Sequence, residues 1–261
     1  MLDQNVNVLK DSSIKRTVEY SENSKQINVL DTRFYKRDDK YYPSVTSILN
    51  YFPKNQFFHN WLKDVGHNAD IIAKKAAEEG TLVHKAAERL IAGEEIEWID
   101  LTGRVTYPLN VWKMILKFAD FWNAVKPTTV ATEYHLFSDK HEYAGTCDLI
   151  CRIKDELWLL DIKTSNSLHT SHDLQVAAYA TAWNETHSEP VTRAGILWLK
   201  ALTKGANKKD KVMQGKGWQI KEVIEIENSF QMFKKVYDIY KLENPEMKPH
   251  SEILPTTIKL G

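Results

Sequence analysis

Residues 143–163 read YAGTCDLICRIKDELWLLDIK, and the fold turns on how they are read. Two runs rich in β-branched, aliphatic and aromatic residues, 146–153 and 156–162, flank the polar pair 154–155, which predicts two antiparallel strands joined by a tight turn. Each run carries one aspartate. Asp148 follows Tyr-Ala-Gly-Thr, read as a turn leading into its strand, and Asp161 precedes Ile162 and Lys163. Residues i and i+2 of a strand share a face, so Asp161 and Lys163 reach one site while Ile162 points into the core. The Trp-Leu-Leu before Asp161 is as apolar as a buried central strand requires. A carboxylate at the end of such a strand needs a cation or strong hydrogen bonds. Lys163 alone can be that cation, which gives an ion pair and no further chemistry. Asp148, on the neighbouring strand, either caps its turn or stands beside Asp161. Two carboxylates so placed repel, and one takes up a proton unless a cation lies between them. Hard oxygen ligands of this kind suit Mg²⁺ or Mn²⁺ rather than Zn²⁺.

Outward from this pair, residues 128–137 form a third strand of the meander, with a turn at 138–142. A helix over 109–125 precedes it, closed by Pro127. Residues 55–92 are helical by the spacing of Phe57, Phe58, Trp61 and Leu62 and of the apolar residues after them, with Gly66 and Gly80 as breaks. Ser44 or Thr46 caps a short helix that stops before Pro53. Residues 27–36 and 40–43 form a hairpin about Arg37-Asp38-Asp39, and residues 1–25 read as a loose polar arm. On the other side lie an alanine-rich helix over 170–184, strands over 193–199 and 217–226, and a helix over 228–242. The order predicts an α/β fold, a central mixed β-sheet flanked by helices, with a helical N-terminal lobe. Residues 1–126 hold the arm, hairpin and lobe and residues 127–261 the α/β core, as one continuous structural unit.

Of the 261 residues, 43% are hydrophobic and 27% charged, enough for a real core and against disorder. Lys and Arg number 35 and Asp and Glu 35, so the net charge is zero, whereas nucleic-acid proteins are often basic. A field depends on where charges sit, however. Residues 200–216 concentrate Lys200, Lys204, Lys208, Lys209, Lys211 and Lys216 against Asp210 alone. Two cysteines exclude a four-cysteine metal or cluster site made by this chain alone. On one strand, Cys147 and Cys151 share a face but sit too far apart to bond, which fits a reducing compartment. The N-terminal residues lack an apolar signal core, and no apolar run approaches the ~18 residues of a membrane span; the expected location is the cytoplasm. A nucleophile elbow and a P-loop are both missing from the sequence.

The G-x-x-D at 145–148, the D-x-K at 161–163 and the Q-x-x-x-Y of Gln175 and Tyr179 together resemble the PD-(D/E)xK nuclease superfamily. The likeness is closest to its RecB-type branch, which includes mitochondrial genome-maintenance exonucleases and phage nucleases. Gly80-Thr-Leu-Val-His84 matches the histidine which that branch carries on an upstream helix, and YYPSVTSIL near residue 41 is similar to its N-terminal block. The resemblance covers roughly 40–180 and implies a restriction-endonuclease-like core. It makes Asp148 and Asp161 metal ligands together with His84 and the carbonyl of Ile162. It has Lys163 position the attacking water, help to deprotonate it and offset charge in the transition state. Gln175 and Tyr179 hold the substrate phosphate or the leaving strand. Glu133 is either a third acidic ligand or a surface residue; Glu88 either orients His84 or is a solvated charge. Thr164 and Ser165 are phosphate donors or plain loop residues. Lys208, Lys209 and Lys211 track phosphates or form an exposed loop. Tyr51, Phe52, Phe57, Phe58 and Trp61 stack on bases or, as is commoner for aromatics at helical spacing, fill the core. The implied function is a Mg²⁺- or Mn²⁺-dependent DNA exonuclease acting on single strands or free ends in replication, recombination or repair. A nucleic-acid-binding module that keeps the fold without activity is the alternative, opposed by the intact Asp148, Asp161 and Lys163. A phosphoesterase for small substrates shares the site, but the lysine loop favours a polymer.

Overall fold

A computed structural model of the chain describes residues 19–20, 26–29, 32–200 and 217–249. Lys208, Lys209 and Lys211 lie outside the described residues. A small antiparallel sheet comes first, with strands β1 (Glu19–Tyr20), β2 (Gln26–Val29), β3 (Thr32–Arg37) and β4 (Lys40–Pro43) in sequential order. Four helices follow: α1 (Val45–Leu49), α2 (Gln56–Val65), α3 (Ala69–Ile91) and α4 (Leu109–Val125). The rest is β5 (Thr128–Ser138), β6 (Tyr143–Ile153), β7 (Glu156–Lys163), α5 (Thr170–Thr186), β8 (Arg193–Trp198), β9 (Gln219–Glu222) and α6 (Ile226–Glu243).

The five later strands form one sheet in sequential order. β5, β6 and β7 pair antiparallel, as the meander requires. β7 and β8 pair parallel, with α5 as the crossover, and β9 closes the edge antiparallel. Lys154 turns the β6–β7 hairpin in the left-handed region, φ 57°. The sheet is thus mixed and helix-flanked, the architecture expected from the sequence.

β7 shows why the sheet is buried on both faces. Leu157 and Leu159 pack with α1, α5 and α6, whereas Trp158, Leu160 and Ile162 pack with α3 and α4. Each fully buried aliphatic of this kind contributes about 1.5–3 kcal/mol relative to exposure. The result is a three-layer α/β/α sandwich with Asp161 and Lys163 at the end of its central strand. Ser44 caps α1 by accepting from the Ser47 N–H and bridges to Ala144 on β6, which ties the small sheet to the large one.

Several expectations are corrected. α3 runs unbroken through Gly80; the break falls at Gly66, φ 53°. β9 is four residues long, and Ile226 opens α6 instead of ending a strand. The hairpin about Asp38 belongs to a four-stranded sheet whose first strand, Glu19–Tyr20, lies in the supposed loose arm. Tyr143 to Thr146 are not a turn but the start of β6. Cys147 and Cys151 do not share a face: Cys147 packs toward α5 and α6, Cys151 toward α3 and α4. The strict alternation of β6 is lost at Asp148, between the Thr132–Leu149 and Tyr134–Cys147 pairs of β5 and β6, where Glu133 of β5 has φ 44°. α2 also departs from the commoner reading of its aromatics. None of its residues is buried; Phe57 is 83% exposed and Phe58 37%. Phe52, by contrast, packs at the margin of the α5–α6 core. Among the described residues, no helix is long and apolar enough to cross a membrane.

Candidate active site

The central sheet opens at the two aspartates. The β6–β7 ladder pairs Leu149 with Leu160 as its last couple on this side, while β7 continues its pairing with β8 through Asp161, Ile162 and Lys163. Asp148 sits where the two strands part. Its Oδ2 accepts the Ile162 N–H, so a side chain replaces the main-chain bond the ladder gives up. Its Oδ1 lies 3.2 Å from Nδ1 of His84, delivered by α3. Asp161, 2% exposed, has its Oδ2 2.7 Å from Lys163 Nζ, yet no hydrogen bond of acceptable direction reaches that oxygen. The pair is therefore a contact of charges that leaves a buried carboxylate oxygen with spare accepting capacity.

α3, β5, β6, β7 and α5 enclose a cavity of about 980 Å³ lined by His84, Glu133, Asp148, Asp161, Lys163, Thr164, Gln175 and Tyr179. Eight of the residues proposed from the sequence thus meet in one place. Gln175 and Tyr179, one turn apart on α5, share a face, and the Gln175 amide donates to the Tyr179 hydroxyl over 3.0 Å. Gly145, three residues before Asp148, is bare because a Cβ there would overlap the Tyr179 ring. Glu88 also lines the cavity, but the acid beside His84 Nδ1 is Asp148. Ser165 is not part of the lining; its hydroxyl donates to the Ser167 carbonyl and its carbonyl accepts from Trp198. Ile162 has its side chain in the core and its N–H on Asp148.

The electrostatics follow from crowding acids in an enclosed place. Burial pushes the Asp161 carboxyl up, Lys163 pulls it down, Asp148 raises it again, and the outcome is about 6. Burial also works against the Asp148 carboxylate, but His84, Lys163 and the Ile162 N–H outweigh it and hold its pKa below the usual range. Burial lowers His84, and Asp148 with Asp161 more than reverses this, to about 9. Glu133 is exposed by surface area but surrounded by the cavity walls. Desolvation there, and then the charge of Asp148, push its carboxyl up to about 7. Its left-handed backbone costs about 1–3 kcal/mol in a non-glycine residue, which the surrounding strand pair must hold in place.

Donor atoms of His84, Glu133 and Asp148 lie within 4.8 Å of one another. That trio is nitrogen plus hard oxygen, and the buried Asp161 carboxylate stands in the same cavity. Excess buried carboxylate charge and a ligand trio together fit a divalent cation. Arg33, Thr46, His135 and Thr146 line the cavity as well and were not singled out from the sequence. Only Thr146 carried a usable signal, sharing a strand with Asp148 two residues away.

With the geometry in place, the chain is compared with known protein families. A family model described as the PD-(D/E)XK nuclease superfamily covers residues 54–252. No curated protein matches the chain.

Proposed function

This chain belongs to the PD-(D/E)XK nuclease superfamily, and we propose that it is a DNA exonuclease of the RecB-type branch, using Mg²⁺ or Mn²⁺ on single strands or free ends in replication, recombination or repair. The observation that carries the reading is the meeting of Asp148, Asp161, Lys163 and His84, from three separate elements, in one cavity. Asp148, Asp161, Glu133 and His84 would hold the cation, whose chemistry is to acidify water and shield phosphate charge. Lys163, held against Asp161, aims its ammonium at the attacking water and offsets the charge gathering on the phosphoryl oxygens. Water attacks phosphorus, the bond to the leaving oxygen breaks, and that oxygen takes a proton. Gln175 and Tyr179 present donors to a phosphate oxygen and keep the strand in line. Thr164, on the same wall, offers one more hydroxyl.

Two features support a single strand. α2 exposes Phe57 and Phe58, and aromatic faces in solvent stack on unpaired bases for about 1–3 kcal/mol each. α3, which follows α2 after one short turn, lines the cavity through Ala76, Ala77, Gly80 and Thr81, so these rings and the acids lie along one path of the chain.

Cleavage of end-labelled single-stranded and duplex DNA with Mg²⁺, Mn²⁺ or EDTA tests this. The expected result is a metal-dependent ladder, stronger on single strands, that disappears in Lys163→Ala. Binding without cleavage under every condition would replace the enzyme with a nucleic-acid-binding module.

A further inference from the structure

Three arginine and lysine side chains line the cavity: Arg33, Lys85 and Lys163. Two of them are engaged. Lys163 Nζ lies 2.7 Å from Asp161, and the Arg33 guanidinium hydrogen-bonds the Tyr35 hydroxyl. The Lys85 ammonium has no ion pair and no hydrogen bond among the described residues. We propose that Lys85 binds a backbone phosphate of the substrate strand at the rim of the cavity, a phosphate other than the one being cleaved. This rests on the nuclease reading above.

The helix explains why this ammonium is left over. Ala77, Thr81 and Lys85 stand four apart on α3 and all line the cavity, so they form one row of the face turned toward it. Helical side chains lean toward the N-terminus, so the Lys85 arm lies over the turn of Thr81 and Ala77. Ala77 is apolar, and the Thr81 hydroxyl donates to the Ala77 carbonyl over 3.0 Å. The row therefore holds no acid for the ammonium. Glu88, three residues on, is the nearest acid along the helix, but no ion pair joins it to Lys85 among the described residues. Its charge is felt instead at Glu133, whose carboxyl it helps to raise.

Lys85 also stands apart from the acids. Successive residues of a helix are turned about 100° from one another, so Lys85 and His84 diverge. His84 is half-buried, with Nδ1 3.2 Å from Asp148, whereas Lys85 is exposed although it lines the same cavity. One belongs to the floor and the other to the rim. Four acids, Glu88, Glu133, Asp148 and Asp161, line the cavity, so a strand of phosphates entering it meets like charge. A cation at the rim with no acid of its own offsets that charge. A lysine ammonium is a compact charge on a flexible stem, which contacts a phosphate without reading sequence.

Steady-state cleavage of labelled single-stranded DNA by the full-length chain, across a salt series, tests this with Lys85→Gln, Lys85→Glu and Lys85→Arg. All four side chains suit a helix about equally, so the fold is not at issue. Lys85→Gln is expected to raise KM about threefold and to flatten the salt slope of log(kcat/KM) by about 0.7, the loss of one phosphate contact on a single strand. Lys85→Glu should raise KM further, and Lys85→Arg should restore both values. Strands with one neutral methylphosphonate linkage, moved a step at a time from the end, locate the contact. Neutralising the contacted phosphate should cost the wild type about threefold and cost Lys85→Gln nothing more. A wild type that cuts, beside a Lys85→Gln variant with the same KM and slope, overturns the subsite alone. So do neutral-linkage losses that are equal in the two proteins at every position, or that differ only at the cleaved linkage. A wild type that neither cuts nor binds nucleic acid overturns the nuclease reading and the subsite together.

Discussion

Asp161 sets the terms at the scale of single residues. Its carboxylate is 2% exposed, beside Lys163 but with one oxygen unsatisfied, and it shares a cavity with Asp148. Stability alone would not select such a group; replacing a buried ion by a neutral residue of like shape is often neutral or stabilising. Its carboxyl is raised to about 6, mainly by burial, so the unfolded chain gives up this proton at lower pH than the folded one does. Stability is therefore full below about pH 4, falls as pH rises toward 6 and stays reduced at pH 7. In the metal-free protein, Asp161→Asn is expected to gain on the order of 1 kcal/mol at pH 7, a few degrees in melting temperature, and nothing at pH 4. Cleavage should be lost in the same variant. Calorimetry in EDTA at both pH values checks this, and a lower melting temperature at pH 7 would show that the Lys163 contact outweighs the burial cost. Asp161 was legible because charge is costly in an apolar strand. Arg33 was not, because arginine is unremarkable on a strand; nor was the Tyr35–Thr146 bond, which joins residues 111 apart in sequence.

Between elements, the pairing of β6 with α5 explains two motifs at once. Gly145 and Tyr179 looked like separate features, a turn glycine and a site tyrosine. They are two halves of one contact, since the Tyr179 ring fills the space a Cβ of residue 145 would need. The same ring is held by Gln175 and faces the cavity. Gly145→Ala should therefore displace Tyr179 from the site and cost about 1–3 kcal/mol through overpacking. Tyr179→Ala should lose a buried ring, and the double variant should be less destabilised than the sum of the two. Chemical denaturation of the four proteins in the cycle measures the coupling; simple additivity would separate the glycine from the tyrosine. The mixed sheet and its helices were legible because Leu157 to Leu160 of β7 are an apolar run and the segment of α5 is rich in alanine. The break in β6 at Asp148 was not. It depends on the left-handed Glu133 across the strand pair, and nothing in the residue type announces that conformation. Gly80 misled in the other direction. It reads as a helix breaker, but α3 continues through it and passes close to Thr164, whose Oγ1 would be 3.1 Å from an added Cβ.

For the molecule as a whole, the boundary near residue 126 divides the sequence but not the core. Val83, Ala86, Ala87, Met114, Phe118 and Phe121 of α3 and α4 close the sheet face formed by Leu149, Cys151, Trp158, Leu160, Ile162 and Leu197. α1 joins α5 and α6 on the opposite face through Val45 and Ile48. Asp148 and Asp161 lie on the C-terminal side of that boundary, whereas His84, Arg33 and Thr46, which line the same cavity, lie on the N-terminal side. Two faces of one sheet covered from two halves of the chain leave neither half with a core of its own. We propose that the whole is one cooperative unit. Residues 127–261 produced alone would present an uncovered face of Leu, Trp and Ile side chains, an apolar area that a monomer does not keep in water. That fragment is expected to aggregate or to remain expanded, with exposed apolar surface and no sharp thermal transition, while the full chain unfolds in a single step with equal calorimetric and van't Hoff enthalpies. Calorimetry of the full chain and dye binding by the fragment decide it. A fragment that melts cooperatively would mean that α5 and α6 alone stabilise the sheet. His84 would then be carried by a lobe able to move against Asp148, and metal affinity would depend on lobe closure rather than on a preformed site.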